Sequence, residues 1–390
     1  MTAEPWTAAG HAIDVALFMP SLRGGGAERV MVDLARAFRE RGLNVAMVLV
    51  SQDGPLLKDL PDDVRIVDLG RARAAWSLLP LIRFLRRWRP RVVLSTLEHT
   101  NVIAAVATRF TRDMRLCLRE ANSVSQDLPW SNGRSALLRV LMTVSYRWAD
   151  HVVAVSQGVA DDLQATLRLP RERMHVIYNP VITPRLLSGG EEALEHPWFA
   201  VGQPPVVLGV GRLDAQKRFD VLIRAFAALR REVLARLVIL GEGPLREELQ
   251  VLAGDLGVSD DLAMPGFVAN PFPYMRRASV FALSSDWEGL PNVLIQARAL
   301  GTPVVATDCP SGPYEILEGG RLGALVPMGD DEAMALALLE ATRCARSRPP
   351  NAWYRRFDAT EVSSQYLRVL GLITGADEDR AAGAALDGAS

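Results

Sequence analysis

The sequence predicts an α/β protein made of two domains, each built around a parallel sheet. Short β-branched runs alternate with helical patterns from end to end, as they do in chains of βαβ units. The chain has 390 residues, which exceeds the size that one hydrophobic core usually supports. The stretch Asn179–Gln203 is rich in Pro and Gly and shows little periodicity. We place the domain boundary there, with one domain over residues 1–180 and another over residues 181–352.

The candidate strands fall into two series, one on each side of this boundary. The first series is Ile13–Met19, Asn44–Val50, Arg65–Leu69, Arg91–Ser95, Arg115–Leu118 and His151–Val155. The second series is Val206–Val210, Arg236–Leu240, Val280–Leu283 and Pro303–Thr307. The last helical pattern, around residues 353–372, is expected to pack back on the first domain. Residues 373–390 are dominated by Ala, Gly and Asp, and we expect them to be disordered.

The composition argues against several classes of protein. The longest apolar stretches run about seven residues, whereas a membrane-spanning helix needs roughly 20. The residues up to His11 show no basic flank followed by an apolar core, so we expect no secretory signal and a cytoplasmic protein. Cys117, Cys309 and Cys344 lack metal-ligand spacing, and we interpret them as small core residues. We therefore expect no disulfide framework, no zinc site and no cofactor, and nothing indicates nucleic-acid binding.

The net charge of −1 conceals an asymmetry between the two halves of the chain. Residues 1–190 contain 25 Lys and Arg against 18 Asp and Glu. Much of this excess lies in one amphipathic segment, at Arg71, Arg73, Arg83, Arg86, Arg87, Arg89 and Arg91. Such a helix can lie on an anionic membrane surface, or it can pack on the core and expose its arginines to water. Both interpretations stay open at this point.

A glycine-rich loop follows the first predicted strand, over Ser21–Arg29. Gly25 and Gly26 stand just before a predicted helix, where free backbone N–H groups and the helix dipole favour phosphate. The loop matches neither the G-x-G-x-x-G dinucleotide motif nor the P-loop. It therefore predicts an anion site or, as the alternative, a plain tight turn.

A second strand-to-helix loop, after Val206–Val210, carries two cations. Gly211 and Arg212 begin this loop and Lys217 ends it, at the sheet edge where α/β proteins bind ligands. Two fixed cations can stabilise a departing diphosphate without a metal. The metal-binding alternative, a D-x-D triplet, occurs only at residues 377–379 in the tail, so we predict no metal site. Two surface cations without a ligand remain the alternative interpretation.

Three further loops offer groups for a nucleotide. Glu242 and Gly243 follow one strand, and Phe267 and Val268 lie in a similar loop, where they offer backbone groups and an apolar surface for a base. The third loop holds Glu288 just before a helix. Gly289, Leu290, Pro291 and Asn292 follow it, and Gln296 lies about one turn into the helix. Glu288 and Gln296 could therefore share one site, although an ordinary capping carboxylate would also explain Glu288.

The order of these motifs resembles family 4 of the retaining glycosyltransferases. The motifs that carry the resemblance are Gly24–Arg29, Val210–Leu213, Glu288–Asn292 and Gly301–Asp308, and they span nearly the whole chain. The resemblance implies the GT-B architecture, with two Rossmann-like domains whose parallel sheets face a central cleft. It also implies that the N-terminal domain binds the acceptor and the C-terminal domain binds the nucleotide-sugar donor.

The resemblance further implies roles for single residues. Arg212 and Lys217 would bind the donor diphosphate, and Glu288 would bind the donor sugar. Gln296 stands where the family usually has a glutamate that holds the ribose hydroxyls, so a neutral hydrogen bond would replace a charge-assisted one.

The loop over Leu118–Ser123 also departs from the family, because it lacks the histidine that some relatives place near the reacting carbon. Candidate acceptor-binding residues are instead Glu98, His99, Asn101, Arg119 and Glu120.

Together with the two cations after the first strand of the second series, the resemblance implies a retaining, metal-independent transferase that moves a sugar from a nucleoside diphosphate. The preference for UDP over GDP is implied by the resemblance alone. The expected acceptor is a growing polysaccharide or lipid-linked oligosaccharide, met in the cytoplasm or at the inner face of the cell membrane. Two alternatives stay open. One is a catalytically weak donor-binding subunit, and the other is a sugar-nucleotide epimerase or hydrolase of the same architecture.

Overall fold

The computed structural model describes residues 13–111, 113–128 and 133–373. The chain divides into two units, each with its own sheet. The first unit holds the described residues up to Val155, then Val159–Pro180, and finally the described residues from Ala359. The second unit holds Ser156–Gly158 and Val181–Asp358. The sequence up to His11, the triplet at residues 377–379 and the predicted tail from residue 374 onward lie outside the described residues.

The first unit is a seven-stranded sheet of order β3-β2-β1-β4-β5-β6-β7. Its strands are β1 Val15–Met19, β2 Val45–Leu49, β3 Arg65–Asp68, β4 Val92–Thr96, β5 Arg115–Glu120, β6 His151–Ala154 and β7 Met174–Val176. Its helices before the second unit are α1 Gly26–Glu40, α2 Leu78–Trp88, α3 Glu98–Thr108, α4 Val124–Asp127, α5 Gly133–Ser145 and α6 Gln157–Leu167. The described strand pairs are parallel, and β1, β2 and β4 are buried along their whole length. Burial on both faces explains their nearly continuous apolar sequences.

The second unit is a six-stranded sheet of order β10-β9-β8-β11-β12-β13. Its strands are β8 Val206–Val210, β9 Arg236–Leu240, β10 Leu262–Gly266, β11 Val280–Leu283, β12 Val304–Thr307 and β13 Ala324–Val326. Its helices are α7 Pro184–Glu191, α8 Phe219–Glu232, α9 Arg246–Asp255, α10 Phe272–Arg277, α11 Asn292–Ala299, α12 Pro313–Ile316, α13 Asp331–Arg343 and α14 Asn351–Phe357. Two parallel-sheet α/β units are therefore present, as the sequence predicts.

The last helical pattern of the sequence is two helices rather than one. Helix α14 belongs to the second unit, whereas α15, over Ala359–Val369, belongs to the first. Val362 and Tyr366 of α15 join the core that α1 covers, and the Arg41 side chain bonds the Thr360 carbonyl at 3.0 Å. The chain thus returns to the first unit after Asp358.

The arginine-rich segment contains α2, whose apolar side faces the interior. Leu81, Ile82, Phe84 and Leu85 are buried. These four side chains are therefore not free to enter a bilayer. The surface of this segment carries the arginines together with Trp76 and Leu79, which are 62% and 64% exposed. Among the described residues, no helix is both long and apolar enough to cross a membrane.

The cysteines differ from the prediction at one position. Cys117 and Cys309 are buried, as expected of small core residues, but Cys344 is exposed just after α13.

Candidate functional site

Three loops of the second unit meet because the strands that precede them are neighbours. Strands β9, β8 and β11 are adjacent and parallel, so their carboxyl ends share one edge of the sheet. The Leu213 amide donates to the Glu242 carbonyl at 3.0 Å. The Gln216 side chain donates to the Trp287 carbonyl at 2.8 Å, and the Asp286 amide donates to the Gln216 carbonyl at 2.9 Å. The three loops therefore form one connected surface.

An ion pair lies at the centre of this surface. Nζ of Lys217 donates to Oε1 of Glu288 at 2.5 Å, and Oγ of Ser285 donates to the same oxygen at 2.7 Å. The Lys217 and Glu288 side chains are only 17% and 7% exposed. Two donors therefore fix the position of the Glu288 carboxylate. Sequence reasoning missed Ser285, although its place three residues before Glu288 could have indicated a contact.

Arg218 strengthens the link between the loops after β8 and β11. Its guanidinium bonds both Asp220 and Asp286, with 2.9 Å to Oδ2 of Asp286. These two carboxylates raise the pKa of Arg218 further above its ordinary value. The charge of Arg218 is thus used to hold the loop that carries Glu288.

Arg212 differs from Lys217 in its surroundings. Its side chain is 74% exposed, and the oxygen of Asp214 lies 3.8 Å from its Nε. Gly211, beside it, packs against the methylene stem of Lys217, because a Cβ built there would lie 3.4 Å from that stem. Arg212 is therefore the cation available to an anionic ligand, whereas Lys217 is already engaged by Glu288.

The glycines after β9 allow two loops to approach closely. Gly241 has a φ of 140°, and a Cβ there would lie 1.8 Å from the Gly211 carbonyl oxygen. A Cβ on Gly243 would lie 2.3 Å from the Leu213 carbonyl oxygen. Any larger residue at either position would push the two loops apart.

The residues that the sequence predicts to bind the base lie in the loop after β9 and in the loop after β10. Glu242 is paired with Arg246 at 2.7 Å, so its carboxylate is already engaged. The Phe267 ring is 64% exposed and Val268 is half-buried. The structure therefore offers an exposed aromatic face here, beside an occupied carboxylate.

Gln296 lies where the sequence predicts, within α11. Asn292 is the first residue of the helix, and Gln296 is half-buried one turn later. Gly289, Leu290 and Pro291 are buried, so the side chains of Leu290 and Pro291 pack in the interior, and Gly289 can offer a ligand only backbone groups. The thiol of Cys309 has its pKa raised to about 12. Burial is the larger cause, and the nearby negative charge of Glu288 is the smaller one.

The predicted acceptor residues lie at the corresponding edge of the first unit, after β4 and at the end of β5. Arg119 is fully buried, and its guanidinium donates to Thr96 at 3.0 Å and to Asn179 at 2.7 Å. Asn101, also fully buried, donates to the Arg119 carbonyl at 3.0 Å and contacts the Tyr146 hydroxyl at 2.9 Å. Both side chains are part of an internal network.

Glu120 completes this network without reaching the surface. It is fully buried, and the Tyr146 hydroxyl donates to its Oε2 at 2.7 Å. Burial and then the charge of Glu98 raise the pKa of Glu120 well above its ordinary value, against the smaller opposing effect of the Tyr146 hydrogen bond. Direct contact with an acceptor stays a prediction for Asn101, Arg119 and Glu120, and their burial argues against it.

The other two acceptor candidates are more accessible. Glu98 is half-buried at the start of α3, and burial raises the pKa of its carboxyl. His99 is exposed. Leu97, just before them, has a φ of 74°, in the region that favours glycine. The turn that presents Glu98 and His99 is therefore held in an unusual backbone conformation.

The glycine-rich loop after β1 is occupied by a carboxylate of the chain itself, that of Glu28. Gly25 precedes α1, and a Cβ built on it would lie 2.2 Å from Oε2 of Glu28. The Glu28 carboxylate thus lies at the helix N-terminus that Gly25 and Gly26 were predicted to offer to phosphate. Burial raises the pKa of Glu28, against a backbone hydrogen bond and the charge of Arg119. A phosphate would have to displace this carboxylate.

Two parallel-sheet α/β units, with charged groups at the carboxyl ends of their strands, form the architecture of GT-B proteins, and matches to known families identify the activity. Residues 204–343 match the family described as Glycosyl transferases group 1, and residues 24–185 match Glycosyltransferase Family 4. The chain belongs to these glycosyltransferases.

Individual relatives agree with this assignment. A Campylobacter jejuni relative named N-acetylgalactosamine-N,N'-diacetylbacillosaminyl-diphospho-undecaprenol 4-alpha-N-acetylgalactosaminyltransferase is 29% identical, over 91% of this chain and 98% of its own. The Rhizobium meliloti lipopolysaccharide core biosynthesis glycosyltransferase LpsE is 29% identical, over 89% and 96%. The Anabaena HepE structure with UDP and glucose matches the fold with a TM-score of 0.75, at 20% identity over 93% of this chain and 100% of its own.

Proposed function

We propose that this glycosyltransferase moves a sugar from a UDP-sugar to a hydroxyl of a growing polysaccharide or lipid-linked oligosaccharide, with retention of anomeric configuration. The observation that carries the proposal is the Lys217–Glu288–Ser285 cluster beside the exposed Arg212. The cluster fixes a carboxylate, and Arg212 supplies a cation at the same sheet edge.

The charges suit the departure of a nucleoside diphosphate. Negative charge grows on the diphosphate as the bond to the sugar breaks, and a preorganised cation stabilises it most in that state. Arg212 can take this role, because it is 74% exposed and its Nε lies as far as 3.8 Å from the Asp214 oxygen. Lys217 can share its ammonium between Glu288 and the phosphate. Among the described residues, no group of three or more His, Cys, Asp and Glu side chains is placed to hold a metal ion. We propose that these two cations, rather than a metal ion, neutralise the diphosphate.

Glu288 is the residue placed to orient the donor sugar. Its carboxylate is held by Lys217 and Ser285, so its position is set before the donor arrives. A carboxylate accepts hydrogen bonds from sugar hydroxyls and stabilises positive charge that develops on the sugar ring. Gln296, one turn into α11, is proposed to bond the ribose.

The proton of the acceptor hydroxyl goes to the departing phosphate in this proposal. Glu120 is fully buried and its pKa is raised, so burial keeps it from reaching the acceptor hydroxyl. The departing phosphate lies beside the bond that forms and can accept the proton. Glu98 and His99 are then proposed to orient the acceptor.

The donor and acceptor classes are supported by the relatives. The HepE structure contains UDP and glucose, and the C. jejuni relative is named for a diphospho-undecaprenol acceptor. A lipid-linked acceptor would place the enzyme at the inner face of the cell membrane. The exposed arginines of α2 are proposed to contribute electrostatic attraction there.

The test is a kinetic comparison with UDP-, GDP- and ADP-sugars, with and without a lipid-linked glycan acceptor. We expect acceptor-dependent turnover with UDP-sugars, retained anomeric configuration by NMR and full activity in EDTA. Glu288→Gln should lower kcat about 100-fold or more. Gln296→Ala should mainly raise the donor KM, because a bond to the ribose is made equally in the ground state and in the transition state. Turnover without acceptor, or saturable binding without any turnover, would contradict the proposal.

A further inference from the structure

Helix α5 turns an apolar face toward solvent. Leu137, Val140, Leu141 and Val144 recur at the spacing of one helical face, and their side chains are 61%, 51%, 45% and 49% exposed. Trp148, just beyond the helix, is 41% exposed and extends the same row. We name these five residues the α5 face. Scattered exposed apolar residues are ordinary, but a contiguous row of five usually marks an interaction surface.

The opposite side of α5 is already used by the fold. Arg139, Met142 and Ser145 are buried, and the helix packs against α3. Arg139 also donates to the Leu128 carbonyl at 3.0 Å. The helix is therefore fixed in this orientation, and the α5 face is left outward by the fold.

The rim of the α5 face is basic. Residues 133–148 contain no acidic residue, and two of their three arginines, Arg134 and Arg147, are exposed. The Arg109 guanidinium lies 5.8 Å from the centre of the Trp148 ring. Arg147 donates to the Thr143 carbonyl at 2.8 Å, and Arg173 donates to the Arg147 carbonyl at 3.0 Å. Arginine side chains thus surround the apolar row on the Trp148 side.

The rim continues toward α2 through Phe110. This ring is 55% exposed, and Arg86 of α2 donates to the Phe110 carbonyl at 3.2 Å. Asp150, an acidic residue close to Trp148 along the chain, is turned to the Leu116 amide, which donates to it at 2.7 Å. The surroundings of the α5 face therefore match a negatively charged partner.

We infer that the α5 face docks on an anionic lipid bilayer. Its aliphatic side chains and Trp148 would enter the boundary between headgroups and acyl chains, while Arg109, Arg147 and Arg173 meet the lipid phosphates. A second copy of the chain fits less well, because a two-fold contact of identical faces would bring these arginines against one another. This inference does not depend on the proposed reaction. It places the main apolar contact on α5, because the α5 face has five exposed apolar side chains whereas the arginine-rich segment exposes two, Trp76 and Leu79.

The test compares binding to vesicles of phosphatidylcholine alone and of phosphatidylcholine with phosphatidylglycerol. The full chain should float with the anionic vesicles and release as salt rises. Val140→Gln with Val144→Gln should weaken this binding about tenfold or more, because two aliphatic side chains no longer enter the bilayer. Val251→Gln with Leu336→Gln is the matched control, since these residues of the second unit are 63% and 65% exposed. The control should bind like the unchanged protein.

Two further measurements keep the inference open to refutation. Arg109→Gln with Arg147→Gln should reduce binding to anionic vesicles by about tenfold and flatten its salt dependence. Thermal melting of each variant shows that the fold is intact. Unchanged vesicle binding by the Val140 and Val144 variant would overturn the inference. So would a concentration-dependent dimer, seen by sedimentation equilibrium, that this variant abolishes while vesicle binding persists.

Discussion

Lys217 and Glu288 are two opposite charges in a place that water reaches little. Their side chains are 17% and 7% exposed, and they share one hydrogen bond. A pair of this kind adds little net stability compared with apolar residues, but removal of one partner leaves the other charge buried and uncompensated. The pair therefore couples the stability of the second unit to the site.

Replacement of Lys217 with Met should destabilise the protein by about 3 kcal/mol, because the buried Glu288 side chain would lose the partner that compensates it. Arg212→Ala is the matched control, since Arg212 is 74% exposed. It should leave the urea midpoint unchanged while it lowers turnover about 100-fold. Urea unfolding and steady-state kinetics measure the two effects. If Lys217→Met also left the midpoint unchanged, the ion pair would have no structural role.

The sequence predicts the identity of these residues but not their contacts. Arg212, Lys217 and Glu288 each follow a strand of the second series, and parallel strands collect their carboxyl ends at one edge. The bond between Lys217 and Glu288 joins positions 71 residues apart, so no local sequence pattern predicts it. Arg119 and Glu120 show the opposite outcome. They look like loop residues in the sequence, yet β5 extends through Glu120 and buries both.

The strand predictions succeed where the run is mostly apolar and buried. Strands β8, β9 and β11 have the bounds that the sequence predicts. The sequence analysis misses β7, β10 and β13. All three are edge strands of their sheets. Two of them have three residues, and β10 contains Pro265 and Gly266. Short, half-buried edge strands carry little periodicity, so the sequence gives them no clear pattern.

The loop after β9 is an element whose geometry depends on one glycine. Gly241 combines a φ of 140° with a Cβ position 1.8 Å from the Gly211 carbonyl oxygen. Gly241→Ala should therefore destabilise the protein by more than about 1 kcal/mol and weaken donor binding. Gly254→Ala is the matched control in α9, where a Cβ finds its nearest atom at 3.8 Å.

The control should stabilise slightly, by about 0.5–1 kcal/mol, because alanine favours a helix. Urea unfolding gives the stability of each variant, and titration with UDP gives the affinity. Equal effects of the two substitutions would show that the approach of Gly241 to Gly211 does not matter.

At the scale of the whole molecule, the two units differ in charge as well as in place along the chain. The N-terminal half of the chain is basic. The first unit nevertheless contains three acidic side chains that are buried or half-buried. Glu28, Glu98 and Glu120 all have pKa values raised chiefly by burial. Such groups make the stability of the protein depend on pH, because the unfolded chain ionises them more readily than the folded one.

The sign of this dependence follows from the direction of the shift. The pKa of Glu120 is raised in the folded state, so its contribution to stability is complete below the unfolded pKa of about 4.3. It is lost progressively as the pH rises toward the folded pKa. Stability should therefore fall as the pH rises from 5 to 8, by the part that Glu120 contributes.

Glu120→Gln removes the ionisation while an amide oxygen can still accept the Tyr146 hydrogen bond. The melting temperature of the variant, relative to the unchanged protein, should rise by about 2 °C or more between pH 5 and pH 8. The comparison uses the melting transition of the first unit, because a chain of two units need not unfold in one step. Glu172→Gln, at an exposed position of the same unit, should show a difference that does not change with pH. If the Glu120 difference were equally flat, the buried carboxyl would not be the group whose proton uptake sets the stability of the first unit.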